Sequence, residues 1–542
     1  MILLHIVMQR PLDSHPHQDS SLDESQDSAA STAASIELET LGYINTEVCR
    51  LSFSDSPRSI DDYYQTAFTN AYQVDYLVMI MALGFSNVGD ATELFSIGYV
   101  LADSDFQQSI LGGEMHNKAA TVAGMSSVGL IVGGLGIWVF EMYLGRKPTV
   151  LLGLCCTTLA GVLGAVSTNL FGFLVGRFLC GLGMGAILSS QPALATECAP
   201  PKERGWVVSL ANSFWTLGLI LNAVSAYIIF GILQLSWRVF IIVSTMPSAL
   251  GLLLIWRYVP ESARYLALHG NYVQAANSAN RITSAMGYKG TPIKVEEIKH
   301  HYGSTTGRQE SSRSIIKSTT SNMRQIYGPT LWKQTSSIQM IWIYISVGSS
   351  LAFWINTLFK DIGIANVYLS FLVLNISCIP GNIASVTLVD RIGRRPFMSV
   401  VMSVASCSLL VFAYFASSSE SKTTPIVCAA CIYYAALTAG WTTLYVMAAE
   451  TFPTNIRATG LALCATGGRI ASILAQYING ALLDRPATLL CVGAAILGLA
   501  CLTTAFSPIH EMARQAIADT VKKDGGHSRE HRTQTKKYLS ID

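Results

Sequence analysis

The eight residues ECAPPKER at 197–204 and the eight residues ETFPTNIR at 450–457 share one outline: a glutamate, six intervening residues and an arginine. Each follows a long apolar run, and they lie 253 residues apart in a chain of 542. A second pair of polar stretches repeats at nearly the same offset, GRK at 145–147 and GRR at 393–395, 248 residues further on. Two signatures recurring in the same order at nearly constant spacing mark an internal duplication.

The sequence around these stretches is 51% hydrophobic and only 13% charged, where a soluble domain carries about 25% charged residues. Its apolar residues gather in runs of about 20, the length an α-helix needs to cross the hydrocarbon core of a bilayer. Twelve runs are legible: approximately 76–101, 119–140, 148–168, 170–196, 205–230 and 238–258, then 335–357, 366–389, 396–417, 425–449, 459–483 and 486–506. The expected fold is an all-α membrane protein with twelve transmembrane helices in two parallel six-helix repeats. The expected domains are a disordered tail over 1–70, a six-helix bundle over 71–258, a central loop with short amphipathic helices over 259–334, a second bundle over 335–506 and a tail over 507–542. The first tail is rich in Ser, Asp and Glu and short of core-forming residues. Its apolar opening, MILLHIV, has no small-residue cleavage site behind it, which argues against a cleaved signal peptide.

Lysine and arginine collect after the even-numbered spans, at 146–148, 201–205, the central segment, 390–396 and 454–457, whereas residues 102–117 contain neither. The positive-inside rule therefore puts both tails and the central segment in the cytosol. Charge pattern does not choose between the plasma membrane and an intracellular vesicle membrane, and either is expected. A net charge of +2 gives no reason to invoke nucleic acid. Ten of the twelve cysteines fall in apolar runs as small hydrophobes, and the Cys428/Cys431 CxxC is i, i+3 spacing on a helix. No nucleotide-binding loop, zinc spacing or nucleophile elbow appears, so neither an enzyme nor a bound cofactor is expected.

Four charges interrupt the apolar runs at depth. Asp90 and Glu93 lie within VMIMALGFSNVGDATELFSIGYVL (78–101), Arg177 within span four and Arg469 within span eleven. A carboxylate at bilayer depth costs at least ~2.5 kcal/mol, so each is a functional candidate. Arg177 sits roughly 8 residues, or ~12 Å, inside the outer end of span four. Span one runs the other way, which brings Glu93 and Asp90 to the same depth, and a carboxylate facing Arg177 offsets much of the penalty. Such a pair is either a fixed structural bridge or a proton-coupling device, in which an arginine that approaches and withdraws changes the carboxylate's hold on a proton. Arg469 either binds an anionic substrate, bridges to Glu93, or snorkels to the interface. Asn212, Trp215, Trp342, Trp354, Trp441, Tyr445 and Gln476 complete a candidate solute pocket, against the alternative that they only pack. The glycines at 181, 183 and 185 are read as packing residues.

The basic loops carry a second constellation: Arg146, Lys147, Glu197 and Arg204 in the first half, and Asp390, Arg391, Arg394, Arg395, Glu450 and Arg457 in the second. Ion pairs in water are worth ~0–1 kcal/mol. Between helix ends they can form a latch present in one conformation only. The alternative is topology alone.

Together DRIGRR (390–395), RFLCGLGMG (177–185), ETFPTNIR and PESARYL (260–266) resemble the major facilitator superfamily, in the branch of sugar porters, organic-ion transporters and synaptic-vesicle-glycoprotein-like proteins. The likeness covers about 71–506, and DATELFSIGYVL and YVMAAETFPTNIRATG most resemble the vesicle-glycoprotein-like group. The resemblance implies a secondary transporter that works by alternating access, with a small organic solute and a proton as partners, in the bilayer, as a monomer. It also implies that Asp90 and Arg177 match the paired Asp and Arg of proton-coupled sugar symporters. Asp90 is then expected nearest Arg177, leaving Glu93 for Arg469 or the solute. The glutamine-rich signature of sugar porters is absent from span seven, and EMYLGRK holds one residue more between acid and glycine than the family's loop. A transporter-shaped binding or sensor protein is the alternative function.

Overall fold

The computed structural model describes residues 59–508 except 69–72, 114–115, 304–323, 330, 365, 418–422 and 453–455. Twelve helices in it are long and apolar enough to span a bilayer: Val74–Ala102, Asn117–Gly136, Arg146–Val166, Leu170–Glu197, Arg204–Ile232, Trp237–Tyr258, Trp332–Phe353, Val367–Val389, Arg394–Ser417, Thr423–Ala448, Thr459–Ala481 and Pro486–Ala505. They are numbered here as spans one to twelve. Helices satisfy every backbone N–H and C=O within the segment, which lipid demands because it offers no partner.

Small residues set how closely the spans approach. A Cβ at Gly181 or Gly185 would strike the backbone of span two at Ser126 or Leu130, and one at Gly183 would meet span three at Gly153 and Thr157. The RFLCGLGMG stretch therefore wedges span four between two neighbours, and its glycines are packing residues as expected. In the first half span one packs on spans five and six; in the second, span nine packs on ten and twelve and span seven on eleven.

Span seven is interrupted. Its helix Trp332–Ser350 tightens to a 3-10 turn over Leu351–Phe353 and resumes as Ile355–Asp361. Beyond this break lie the contacts that join the two halves. Phe353 stacks on Phe95 with ring centroids 5.2 Å apart, and Lys360 Nζ donates to the Ala102 carbonyl at 2.9 Å. Tyr99 meets the Phe371 ring at 4.9 Å, and its hydroxyl accepts from Asn375 at 3.4 Å. Tyr368 stacks on Phe230 at 5.3 Å, the Thr121 and Tyr477 hydroxyls lie 3.3 Å apart, and Asn382 donates to Thr216 at 2.6 Å. All of these lie at mid-span or towards the face opposite the Lys- and Arg-bearing loops.

On the basic face the described residues include four further short helices: Ile60–Ala67, Ala263–Leu268, Tyr272–Ala285 and Val295–Tyr302. The third is the amphipathic segment expected in the central loop. The first corrects the reading of 1–70 as one disordered tail. Ser59 caps it, accepting the Asp62 N–H at 3.1 Å; Tyr63 and Tyr64 are buried, and the Tyr63 hydroxyl donates to Asn280 of the third helix at 2.8 Å. The tail expectations for 1–58 and for residues beyond 508 lie outside the described residues.

Candidate functional site

The deep charges of the first half converge, but not as expected. Asp90 and Glu93 are buried at 0% and 1% exposure, and Arg177 at 6%. The expected Asp90–Arg177 pair is absent: neither Asp90 carboxylate oxygen has a hydrogen-bond partner. Arg177 reaches one turn further along span one, where Nη1 donates to the Glu93 carbonyl at 3.0 Å and Nη2 to the Leu94 carbonyl at 3.5 Å. Glu93 turns its carboxyl into a void of about 10 Å³, lined also by Ser96, Gly161, Gly176, Arg177, Cys180 and Ile241. That is room for about one water. The Cys180 thiol donates to Glu93 Oε2 at 3.9 Å, Thr245 flanks the same carboxyl, and Asp90 lies within electrostatic reach of Glu93 and Cys180.

Every neighbour in that description belongs to spans one, three, four and six. Glu93 therefore faces the interior of its own half, and the expected bridge from Glu93 to Arg469 does not form. The reason is rotational. Glycine at 161 leaves the space beside span three that the Glu93 side chain fills, since a Cβ there would collide with Glu93 Oε1 and Thr245 Oγ1.

Arg469 occupies the second half alone. It is partly exposed, and among the described residues no carboxylate lies within ion-pair distance of it. It shares a stripe of span eleven with Ile473, Gln476 and Tyr477, which face span two across the seam at Gly124 and Thr121. Tyr445 lies within its electrostatic reach. Tyr445 in turn meets Trp342 edge-on at 5.1 Å and Trp441 at 6.1 Å, while Trp342 and Trp441 are 6.1 Å apart. Of the other expected pocket residues, Gln476 Oε1 accepts from Trp354 Nε1 at 2.7 Å and leaves its buried Nε2 unpartnered. Trp215 packs edge-on against Phe95, and Asn212, exposed, lies 3.5 Å from the Asn87 amide.

The duplicated loop motifs pair within each half. Arg394 grips Glu450 with Nε at 3.1 Å and Nη2 at 3.0 Å. Its counterpart Arg146 meets Glu197 through Nε at 3.5 Å. The following basic residue repeats a second task, neutralising the carbonyl end of a helix. Lys147 Nζ donates to the Trp256 carbonyl near the end of span six at 3.1 Å, and Arg395 to the Thr504 and Ala505 carbonyls at the end of span twelve. Arg204 does not join Glu197; it bonds Asp61 at 2.7 Å and the Thr196 carbonyl at 3.3 Å. Arg391 is exposed, and the side chains of Asp390 and Arg457 lie outside the described residues.

Two residues of this face were missed. Glu261 accepts the backbone N–H groups of Arg146 and Lys147, both at 3.2 Å, and so caps span three from a distance. Burial pushes its carboxyl above the ordinary range, and these N–H groups partly oppose the shift. A signal existed, since Gly145 has no side chain with which to cap span three. Asp61 bridges Arg204 and Arg264; the Ser-x-x-Asp cap at 59–62 marks the start of its helix but not these partners.

The sugar (and other) transporter family model matches residues 62–512. An organic cation transporter protein of Drosophila melanogaster is 27% identical over 368 residues, 67% of this chain and 63% of that protein, so the match spans under two thirds of this relative. A synaptic vesicle 2-related protein of Bos taurus is 26% identical, covering 68% of this chain and 67% of the relative. Among solved structures, the inward-open xylose transporter XylE of E. coli superposes with a TM-score of 0.61 at 18% identity, over 81% of this chain and 97% of that one.

Proposed function

Given that this chain belongs to the sugar (and other) transporter family, with its twelve spans in two parallel repeats, we propose that it moves a small organic solute by alternating access, coupled to a proton bound at Glu93. The basic face and both termini are cytosolic in this reading, the protein works as a monomer, and its membrane is the plasma membrane or that of a vesicle. The observation that carries it is the position of the seam contacts. Phe95–Phe353, Tyr99–Phe371, Phe230–Tyr368 and Lys360–Ala102 all sit at mid-span or beyond, away from the basic loops. The latch pairs meanwhile close within each half rather than between them. This is what a rocker closed to the outside looks like.

Glu93 takes the coupling role first given to Asp90 because it meets the void, Thr245, the Cys180 thiol and the Arg177 backbone clamp together. A buried carboxyl with an uncommitted oxygen beside room for one water can take up and release a proton as that room opens and closes. Asp90 is the reserve acid beside it.

The test is uptake into proteoliposomes with an imposed pH gradient, using solutes that first stabilise the purified protein in a thermal-shift screen. Glu93→Gln should abolish accumulation against a gradient and leave solute exchange intact. Accumulation that survives in Glu93→Gln and fails in Asp90→Asn would return the role to Asp90. Specific binding with no flux in any condition would favour the sensor reading.

A further inference from the structure

The end of span six on the basic face gathers more positive charge than its backbone can use. Lys147, at the start of span three, donates from Nζ to the Trp256 carbonyl at 3.1 Å. Arg281, on the short helix Tyr272–Ala285, donates from Nη2 to the next carbonyl, that of Arg257, at 2.8 Å. Arg257 itself holds its guanidinium 5.4 Å from the centre of the Tyr258 ring. Arg281 lies within electrostatic reach of Lys147, and among the described residues none of the three has a carboxylate within ion-pair distance. The helix end they share supplies about half a negative charge. The carboxylate in electrostatic reach of Lys147 is Glu261, which already accepts the backbone N–H groups of Arg146, Lys147 and Ser262. Three cations against that leave a surplus of about 1.5 positive charges. Arg257 and Arg281 are exposed, so the surplus faces outwards.

On the membrane side of these cations the surface turns apolar. Spans three and six pack on each other. Each carries an exposed apolar stripe, with Leu152 and Leu159 on span three and Met246, Leu250 and Leu253 on span six. The second stripe ends at Trp256, 67% exposed, and Tyr258, rings of the kind that settle at headgroup level. Independently of what the chain transports, we infer that this corner binds an anionic phospholipid bearing phosphomonoester groups. Its headgroup lies on Lys147, Arg257 and Arg281, and its acyl chains run along spans three and six. A guanidinium matches phosphate oxygens with paired donors, and among the described residues Arg281 commits only Nη2 to the protein. Basic clusters at the end of a span attract such headgroups. A serine or ethanolamine headgroup brings its own ammonium against the surplus and gains less. Membrane topology alone asks only for scattered positive charge. It does not ask three elements to bring their cations to one helix end.

The experiment is native mass spectrometry of the purified full-length protein, titrated in detergent with phosphatidylinositol bisphosphate, phosphatidylserine or phosphatidylcholine. The bisphosphate lipid should saturate at one copy per chain and survive a delipidating wash that strips the other two. Arg281→Gln and Arg257→Gln, both at exposed positions, should each weaken it about 5-fold, the effect of one basic side chain near such a headgroup. Lys294→Gln removes the same charge from an exposed residue of the basic face outside the cluster and should leave binding unchanged. Thermal unfolding without added lipid checks that each variant is folded. Equal retention of the serine lipid, or equal losses from Lys294→Gln and Arg281→Gln, would mean a diffuse surface potential and overturn the inference. Displacement of the lipid by soluble inositol trisphosphate at equal concentration would overturn it too, because the apolar stripes would then contribute nothing.

Discussion

The two halves are copies at their basic ends and strangers at mid-membrane. Arg146–Glu197 and Arg394–Glu450 are the same pair made twice, and Lys147 and Arg395 perform the same helix-end task at carbonyls 248 residues apart, Trp256 and Thr504. In the bilayer the first half holds two acids and an arginine in a sealed cluster, while the second holds one arginine near Tyr445, whose ring meets Trp342 and Trp441. The two copies agree where loops tie helix ends together and differ where charges lie at depth. Even the copies differ in grip. Arg394 holds Glu450 through two nitrogens at 3.0 and 3.1 Å, whereas Arg146 Nε stands 3.5 Å from Glu197 Oε1 and Glu197 Oε2 has no hydrogen-bond partner. The looser pair belongs to the half that Asp61 and Glu261 also brace.

The comparison breaks most visibly at Arg177. Arg177→Leu removes the donors to two backbone carbonyls and leaves Glu93 buried without a cation, which should cost ~3–5 kcal/mol. Thermal unfolding in detergent measures this. Adding Glu93→Gln should recover part of the loss, and a fully stable single variant would show that the cluster is not a unit. The latch contrast comes next. Glu450→Gln should lower stability by ~1–2 kcal/mol, because it breaks a two-pronged charge-assisted contact. Glu197→Gln should cost under ~1 kcal/mol, as a surface ion pair does. Equal losses from the two would erase the proposed difference in grip. Asp61→Asn should have the smallest global effect, ~0.5 kcal/mol or less for partly exposed bridges. It should nonetheless speed amide exchange locally over residues 60–67, and unchanged protection there would mean that Tyr63 and Tyr64 hold the helix without it.

How much of this could be read from residues alone follows from what each pattern encodes. The apolar runs and the twin Glu-x6-Arg stretches encode length and order, so span number and duplication were legible. Depth was legible too, since a rise of 1.5 Å per residue puts Arg177 level with span one's acids. Rotation was not. Asp90 and Glu93 lie three residues apart on one broad face, and a few tens of degrees decide which meets span four. The deciding fact was the space at Gly161, in a third helix. Nor did residue types reveal that Arg177 would choose backbone carbonyls over a carboxylate. The Asp61 bridge was hidden because its partners are more than 140 residues away and its setting reads as a polar tail.

The thiol of Cys180 aimed at Glu93 Oε2 gives this molecule a vibrational reporter of its own. An S–H stretch absorbs in a spectral window that water and amide groups leave clear, and it softens when its acceptor carries full negative charge. Infrared difference spectra of the unlabelled protein across a pH titration, with Cys180→Ala to assign the band, would therefore record the charge on one particular carboxyl. No dye or isotope would need to enter the cavity whose occupancy is in question.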